Sequence, residues 1–460
     1  MKNRRELSSL FTKANYPKIR AKLEEAHLTK AIQQTRERMG TFFEKNQVLG
    51  RRASIGCVAL EITQRCNLDC SLCYLSEHSE EVKDLPIEEI YRRIDEIKNH
   101  FGAGTDVQIT GGDPTMRDRK ELVAIVKRVR DIGMRPTLMT NGLKASRDLI
   151  EELISVGLND IAFHMDLTFE LPGYKTEMDL NKLRLRYIDK VRGLPIAVIF
   201  NTTVHKANFN EIPDLIRFFR KHSDVVGMAS FQLQADTGRG ELRKRDEVIS
   251  LETVRQQISK GAETKISWDT VMIGHPKCHK IGITLSCNGN LYDLNYDPQF
   301  FNEFLEQFQH VILDRKNPRK VVLTLMKELG QRPEWILKAG KHFGKMLWKM
   351  RRDLIPGKGK INKLSFFVQN FMDASALDEE RVHACSFMVM TGQGPVSMCA
   401  HNAKRDDYIL KPVELVKIGK KVLWNPLTGK ELPQNSSIAS IGDKEALENE
   451  KTTTKKQTAF

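Results

Sequence analysis

The chain has 460 residues, 40% of them hydrophobic, with a formal net charge of +14 and an isoelectric point near 9.3. No run of about twenty apolar residues occurs, which excludes a predicted membrane-spanning helix and favours a cytoplasmic protein of two or three domains. Eight cysteines in such a chain favour metal ligation over disulfides, because a reducing compartment keeps thiols free. The positive charge predicts contact with an anionic partner.

The first predicted unit is a basic N-terminal extension over residues 1–52. It carries thirteen Lys or Arg against five Glu, and a partial apolar periodicity predicts one or two helices. A solvated extension and an element that binds an anionic partner both remain open.

A group of three cysteines follows the first predicted strand. Residues 55–63 are apolar and β-branched, and Cys57 within them is predicted to be a small buried hydrophobic residue. Cys66, Cys70 and Cys73 come next, with the spacing C-x3-C-x2-C. A structural zinc takes four protein ligands, whereas a 4Fe–4S cube held by three thiolates leaves one iron open for a small molecule.

This spacing, on the first loop of an α/β pattern, resembles the cluster motif of the radical S-adenosylmethionine (radical SAM) superfamily. Gly111-Gly112-Asp113-Pro114, after a predicted strand at 107–110, resembles the Gly-Gly-Glu-Pro segment of that family. The resemblance implies a 4Fe–4S cluster on the three cysteines and SAM bound at the open iron and the glycine segment. It further implies reductive cleavage of SAM to a 5′-deoxyadenosyl radical that abstracts hydrogen from a substrate carbon, and a reductant such as ferredoxin or flavodoxin.

Two positions depart from the family pattern. The residue before the third cysteine is usually aromatic in the family, but it is Leu72 here, and Tyr74 follows Cys73 instead. The resemblance therefore implies a cofactor contact for Tyr74 from a displaced position. Asp113 is one methylene shorter than the usual Glu, which a contact made by the glycine backbone would tolerate.

Strand and helix patterns alternate from residue 86 to residue 234, which predicts parallel strands wrapped by helices. Six strands are expected, in line with the partial (β/α)6 TIM-like barrel that the resemblance implies, with the site at the C-terminal rim. His164 and Asp166 are two positions apart and are predicted to share one face of a strand. Polar residues at the strand ends are candidate SAM or substrate contacts: Asn141, His164, Asp166 and Asn201.

A second group of cysteines begins after about residue 268, where the alternation stops. Cys278, Cys287, Cys385 and Cys399 lie in two predicted hairpins. The second hairpin resembles part of the SPASM or twitch auxiliary-cluster modules of radical SAM enzymes. Four thiols would ligate a second 4Fe–4S cluster or one zinc ion, and unliganded cysteines remain a third alternative.

Residues 335–363, between the two hairpins, carry nine Lys or Arg against one Asp. Such an amphipathic basic helix can lie in a membrane interface, bind phosphates, or present a charged face over an ordinary core stripe. Its predicted apolar face consists of Phe343, Met346, Leu347, Met350 and Leu354.

Together these patterns predict an α/β protein with a smaller α+β C-terminal domain. The tail is rich in Ser, Thr, Lys and Glu, which predicts disorder. The predicted division is a basic helical extension at 1–52, a partial barrel at 53–270, an auxiliary-cluster domain at 271–430 with a helical insertion at about 300–365, and a disordered tail at 431–460.

The leading interpretation is a radical SAM enzyme that acts on a small-molecule, lipid or peptide substrate. The basic segments favour a lipid and a peripheral contact with the inner membrane surface, and Asn370-Phe-Met-Asp-Ala is similar to segments of the tetraether lipid synthase branch. A SPASM-type peptide or protein maturase has the same chemistry and is the first alternative. A zinc-stabilised nucleic-acid-binding protein is the alternative from another class, whereas the leading interpretation expects no specific nucleic acid.

Overall fold

The computed structural model describes residues 16–44, 50–240, 244–314, 317–417 and 420–432. The predicted tail, apart from its first two residues, and the first fifteen residues of the basic extension lie outside these ranges. The described part of the extension contains the helix α1 (Tyr16–Met39). Near its end Arg38 donates a hydrogen bond of 2.8 Å to the carbonyl of Cys385, so α1 is tied to the C-terminal part of the chain.

Six parallel strands alternate with helices between residues 57 and 233. All seven residues of the first strand are buried, as expected for a parallel sheet that is covered on both sides. The elements are β1 (Cys57–Thr63), α2 (Ile87–Phe101), β2 (Asp106–Gly111), α3 (Arg119–Asp131), β3 (Arg135–Thr140), α4 (Arg147–Ser155), β4 (Asp160–His164), α5 (Asn181–Val191), β5 (Ala197–Val204), α6 (Ile212–Lys221) and β6 (Val226–Leu233).

The C-terminal half adds strands to both edges of the same sheet and a group of helices outside it. Its first elements are α7 (Leu251–Ala262), β7 (His279–Cys287), β8 (Asn290–Asp293), α8 (Pro298–Gln307), α9 (Pro318–Gly330), α10 (Pro333–Leu354) and β9 (Ile361–Asn370). The remaining elements are α11 (Glu379–His383), β10 (Phe387–Thr391), β11 (Gly394–Ser397), α12 (Met398–Ala403), α13 (Asp406–Ile409), β12 (Val413–Lys417) and β13 (Lys420–Trp424).

The main sheet has eleven strands in the order β11-β10-β1-β2-β3-β4-β5-β6-β9-β7-β8. The predicted α/β barrel of six strands is confirmed, and two more parallel strands extend it, because β10 pairs in parallel with β1 and β9 with β6. The curled sheet brings these two added strands together, with the ring centroids of Phe367 and Phe387 5.8 Å apart. The domain boundary at residue 270 stays a prediction, but the sheet is continuous across it.

One large apolar core fills the space between the strands of the barrel and the helices that cover them. Cys57, with an exposed fraction of 3%, lies on the other side of β1 and lines the interior of the barrel. The helices α8, α9 and α10 form a separate apolar cluster around Phe300, Phe304 and Trp335. Within the ranges that the structure describes, no helix is both long enough and apolar enough to cross a bilayer.

Candidate active site

The loop after β1 carries the three thiols of the predicted cluster motif. Cys66, Cys70 and Cys73 all line a cavity of about 460 Å³ inside the barrel, at the C-terminal ends of its strands. Burial raises the pKa of Cys70, and the charges of Asp166, Cys73 and Cys66 raise it further, so the three thiols lie close enough to interact. The loop is fixed by a hydrogen bond of 3.0 Å from Ser71 N to the Thr168 carbonyl.

These residues fit a cluster better than a single metal ion. Among the described residues, no three His, Cys, Asp or Glu side chains converge closely enough to hold one ion. In a 4Fe–4S cube each thiolate binds a different iron, so three thiols that line one cavity are a suitable donor set. Asn141 Nδ2 lies 3.9 Å from Cys66 Sγ, and hydrogen bonds to the sulfurs tune the potential of a cluster.

The glycine segment supports the thiol loop. Gly112 N donates to the Thr63 carbonyl at 3.0 Å, and both glycines line the cavity. A Cβ at Gly111 would lie 1.9 Å from the Thr63 oxygen, and a Cβ at Gly112 would lie 2.1 Å from the Arg65 oxygen. Real Cβ atoms do not approach backbone this closely. Both positions therefore require glycine, because the loop from β1 toward Cys66 passes directly against them.

Asp113 and Pro114 lie behind the cavity wall. The carboxylate of Asp113, with an exposed fraction of 1%, accepts hydrogen bonds from Thr140 Oγ1 at 2.9 Å and Asn141 N at 2.8 Å. Pro114 is buried at the start of a 3-10 turn. The Asp113 carboxylate thus joins the end of β2 to the end of β3 through protein donors, and the cofactor contacts of Asp113 and Pro114 stay a prediction.

Tyr74 joins the thiol loop to the glycine segment. Its hydroxyl donates a hydrogen bond of 2.5 Å to the Gly111 carbonyl, and the guanidinium carbon of Arg405 lies 4.8 Å from its ring centroid. The ring also lines the cavity, so a cofactor contact by Tyr74 stays a prediction.

The polar residues at the strand ends divide between the cavity and the layer behind it. Asn141, His164 and Asn201 line the cavity. Asp166 is fully buried behind them and accepts a hydrogen bond of 2.6 Å from Thr203 N. β4 ends at His164 and Asp166 caps the next 3-10 turn, so Asp166 lies beyond the strand, although the two side chains are on the same side of the chain and contact each other.

His164 and Asp166 form a buried pair, with 3.0 Å between Nε2 and Oδ2. Burial disfavours the charged forms of both groups, but the charge and hydrogen bond of each partner outweigh it. The pKa of Asp166 is therefore held well below its usual range and the pKa of His164 is raised. The cavity wall thus carries an imidazole that is paired with a buried carboxylate.

Sequence reasoning missed a second buried ion pair. Glu61, in the middle of β1, lines the cavity, and Arg405 Nη1 donates to its two carboxylate oxygens at 2.8 and 2.9 Å. Burial raises the pKa of Glu61, but Arg405, His401 and Gln64 together lower it to about 2. A lone carboxylate inside an apolar strand could have indicated a buried ion pair. Nothing in the sequence identifies its partner, which is 344 positions away.

Cys287 does not belong with the other cysteines of the second group. In the pairing of β7 with β9, His279 faces Gln369 and Cys287 faces Ile361, so Cys287 lies at the opposite end of β7 from Cys278. A nine-residue strand spans about 30 Å at ~3.4 Å per residue. The predicted set of four thiols is wrong for this residue, which is buried against Met346 and Met350.

The other three cysteines of this group lie together, and Cys57 of β1 joins them. Burial first, and then Cys385 and Cys278, raise the pKa of Cys399 to about 12. Burial raises the pKa of Cys57, with a further contribution from the charge of Cys385. Arg381 Nε lies 3.3 Å from Cys278 Sγ. The fourth thiol near this group is therefore Cys57, which sequence reasoning had assigned to the core.

The fold and the three-thiol loop define an α/β barrel protein whose C-terminal rim fits an iron–sulfur cluster. Residues 60–219 match the family described as the radical SAM superfamily, and the chain therefore carries a radical SAM domain.

Three curated relatives are similar over part of the chain. The 7,8-dihydro-6-hydroxymethylpterin dimethyltransferase of Methanocaldococcus jannaschii is 29% identical over 39% of this chain and 36% of its own length. The PqqA peptide cyclase of Bradyrhizobium diazoefficiens is 29% identical over 35% and 42%. The probable GTP 3′,8-cyclase of Pyrococcus abyssi is 32% identical over 38% and 56%. The chain thus spans about a third to about half of the length of these relatives.

Among solved structures, SuiB of Streptococcus suis bound to the precursor peptide SuiA is similar, with 18% identity and a TM-score of 0.36 over 44% of this chain and 45% of that chain. The radical SAM domain and the named relatives support an enzyme of the radical SAM class. They do not support the alternative of a zinc-stabilised nucleic-acid-binding protein.

Proposed function

We propose that this chain cleaves S-adenosylmethionine reductively at a 4Fe–4S cluster and removes a hydrogen atom from a carbon of a substrate held in the barrel. The observation that carries the proposal is that Cys66, Cys70 and Cys73 line the same cavity as Gly111 and Gly112. When bound, the cluster and SAM supply the electron transfer and the radical chemistry.

The protein residues hold and shield that site. Cys66, Cys70 and Cys73 would ligate the cluster, and Gly111 and Gly112 line the part of the cavity wall beside which SAM would bind. Asn141, with its amide 3.9 Å from Cys66 Sγ, would donate to a ligating sulfur. The wall formed by the two added strands, with Phe367 and Val389 among its residues, would exclude water from the reacting carbon.

The substrate proposed is a lipid or another molecule with a long apolar part. Several strands contribute apolar side chains to the cavity, with Met139, Ile199, Met228, Ile281 and Ile283 among them, which supports a substrate with an alkyl chain. A peptide is the second candidate, favoured by the likeness to the PqqA peptide cyclase, whose name states a peptide substrate. A ferredoxin or flavodoxin is the proposed electron donor.

A second 4Fe–4S cluster is proposed on Cys278, Cys385 and Cys399, with Cys57 as the fourth thiol in place of Cys287. The interaction between the charges of these thiols supports this set. Thiolates in a buried site need a cationic metal partner, because burial alone keeps thiols protonated.

The test is anaerobic reconstitution followed by measurement of iron and of 5′-deoxyadenosine formed with SAM and dithionite. We expect about eight irons per chain in the wild type and about four in the triple variant Cys66→Ala, Cys70→Ala, Cys73→Ala, with loss of 5′-deoxyadenosine. Cys287→Ala is the matched control and should keep both iron and turnover. Equal product from the triple variant and the wild type would rule out the proposed cluster site.

A further inference from the structure

The exposed apolar side chains of this protein are concentrated in one segment of the chain, which includes α9 and α10. Fifteen large hydrophobic residues are exposed in the described part of the chain, and nine of them lie between residues 312 and 355. Leu337 has an exposed fraction of 81%, Trp348 of 67% and Leu323 of 66%. A soluble surface carries single exposed apolar residues, but a contiguous patch marks an interaction site.

The helix α10 has three distinct faces. Trp335, Ala339, His342, Met346 and Met350 form the buried face. The predicted core stripe is thus correct for the two methionines but wrong for Leu347, which is 47% exposed. At 3.6 residues per turn, Leu337 and Trp348 lie on the side opposite the buried face, and Leu347 lies at its flank. Besides its buried face, α10 therefore has apolar side chains that are exposed to solvent, which an ordinary core-facing helix does not require.

The third face of α10 is basic. Residues 318–360 contain twelve Lys or Arg and three Asp or Glu, whereas the whole chain has a net charge of +14. Lys341, Lys345, Lys349 and Arg352 lie along one flank of the exposed apolar face. Within the described ranges, Lys341 and Arg352 form no ion pair with an acidic residue. The segment that carries the exposed apolar side chains is therefore strongly basic.

We propose that the exposed face of α9 and α10 docks on the surface of a bilayer that contains anionic lipids. A bilayer interface accepts apolar side chains and, at the level of its headgroups, the cations that flank them. Trp348 suits this interface, with the guanidinium carbon of Arg351 4.3 Å from its ring centroid. A second copy of the chain would bring two strongly positive surfaces together, and a nucleic acid would leave the apolar face unsatisfied.

The docking surface lies at the end of the barrel opposite the thiol loop. The helix α10 packs on Cys287, where β7 ends and β9 begins. The cavity also reaches this end, since Asp106, Asp160 and Lys363 line it. If the proposed function holds, the membrane surface lies at the end of the cavity distant from the cluster, but the docking itself does not depend on that function.

The test is cosedimentation of the full chain with vesicles of phosphatidylcholine, with and without about 30% phosphatidylglycerol. We expect binding to the anionic vesicles and weak binding to the neutral ones. Two triple variants should each weaken binding by about tenfold or more. The apolar variant combines Leu337→Ser, Leu347→Ser and Trp348→Ser, and the charge variant combines Lys341→Glu, Arg352→Glu and Lys358→Glu. All six side chains are exposed, so the variants should fold.

Matched controls place the same changes elsewhere on the surface. Two triple variants alter other exposed positions and should leave binding within about twofold of the wild type. The apolar control combines Leu23→Ser, Leu185→Ser and Val248→Ser, and the charge control combines Lys120→Glu, Lys175→Glu and Lys182→Glu. Absence of binding to anionic vesicles would overturn the proposal. Loss with the charge variant alone would indicate a purely electrostatic partner such as a nucleic acid. A wild-type dimer that the apolar variant dissociates would indicate a second copy, and either result would also overturn it.

Discussion

Replacing Gly112 by Ala should remove the motif cluster and destabilise the protein by about 3 kcal/mol. The new Cβ would lie 2.1 Å from the Arg65 oxygen and 2.8 Å from the Gln64 oxygen, and both are backbone atoms that no rotamer change can move. The loop that carries the three thiols would have to shift. Iron content after reconstitution and the free energy of unfolding in urea measure the two effects.

Gly344→Ala is the control for this substitution. Gly344 lies inside α10, a Cβ there would meet nothing within 4 Å, and Ala is the better helix former. We expect full iron content and a gain of about 0.5 to 1 kcal/mol. Full iron content in Gly112→Ala as well would show that the glycine segment does not hold the thiol loop.

Arg405→Met should destabilise the protein by about 3 to 5 kcal/mol at neutral pH, because it leaves the buried carboxylate of Glu61 without its cation. In the wild type the pKa of Glu61 is about 2, below its ordinary value of 4.5. The pair therefore stabilises the fold above the ordinary pKa, and this stability is lost as the pH falls toward about 2. Without Arg405, burial raises the pKa of Glu61, so the sign of its effect on stability reverses. An increase in pH then destabilises the fold.

The sign reversal gives a measurable pH dependence. The loss of stability in Arg405→Met should be larger at about pH 8 than at about pH 5, because Glu61 can be neutralised at the lower pH. The double variant Arg405→Met, Glu61→Gln should recover most of the loss and remove the difference between the two pH values. An Arg405→Met variant as stable as the wild type at about pH 8 would contradict the interpretation of this pair.

The parts of the fold that local sequence encodes were predictable. The six strands β1 to β6 follow from alternating apolar runs and helix patterns, and the thiol loop follows from its spacing after β1. The positions of the two added strands in the sheet were not predictable, because β9 and β10 pair with β6 and β1 over more than a hundred residues. Periodicity indicates a strand but not its neighbour in the sheet.

The candidate site was predictable at the level of motifs and less so at the level of roles. The spacing of the cysteines and the glycine segment named residues that do share a cavity. The sequence motifs could not show that the carboxylate of Asp113 joins β2 to β3, or that Cys287 lies at the opposite end of β7 from Cys278. On α10, an apolar periodicity indicated a core face, but burial divides those residues between the interior and the surface.

The most direct test of the account is electron paramagnetic resonance of the Cys278→Ala, Cys385→Ala, Cys399→Ala variant, reconstituted and reduced with dithionite. Only the cluster on Cys66, Cys70 and Cys73 would remain, with one iron open to a small molecule. We predict the signal of one reduced 4Fe–4S cluster, and a changed signal after addition of SAM. A reduced cluster whose signal is the same with and without SAM, or no cluster signal at all, would contradict the account.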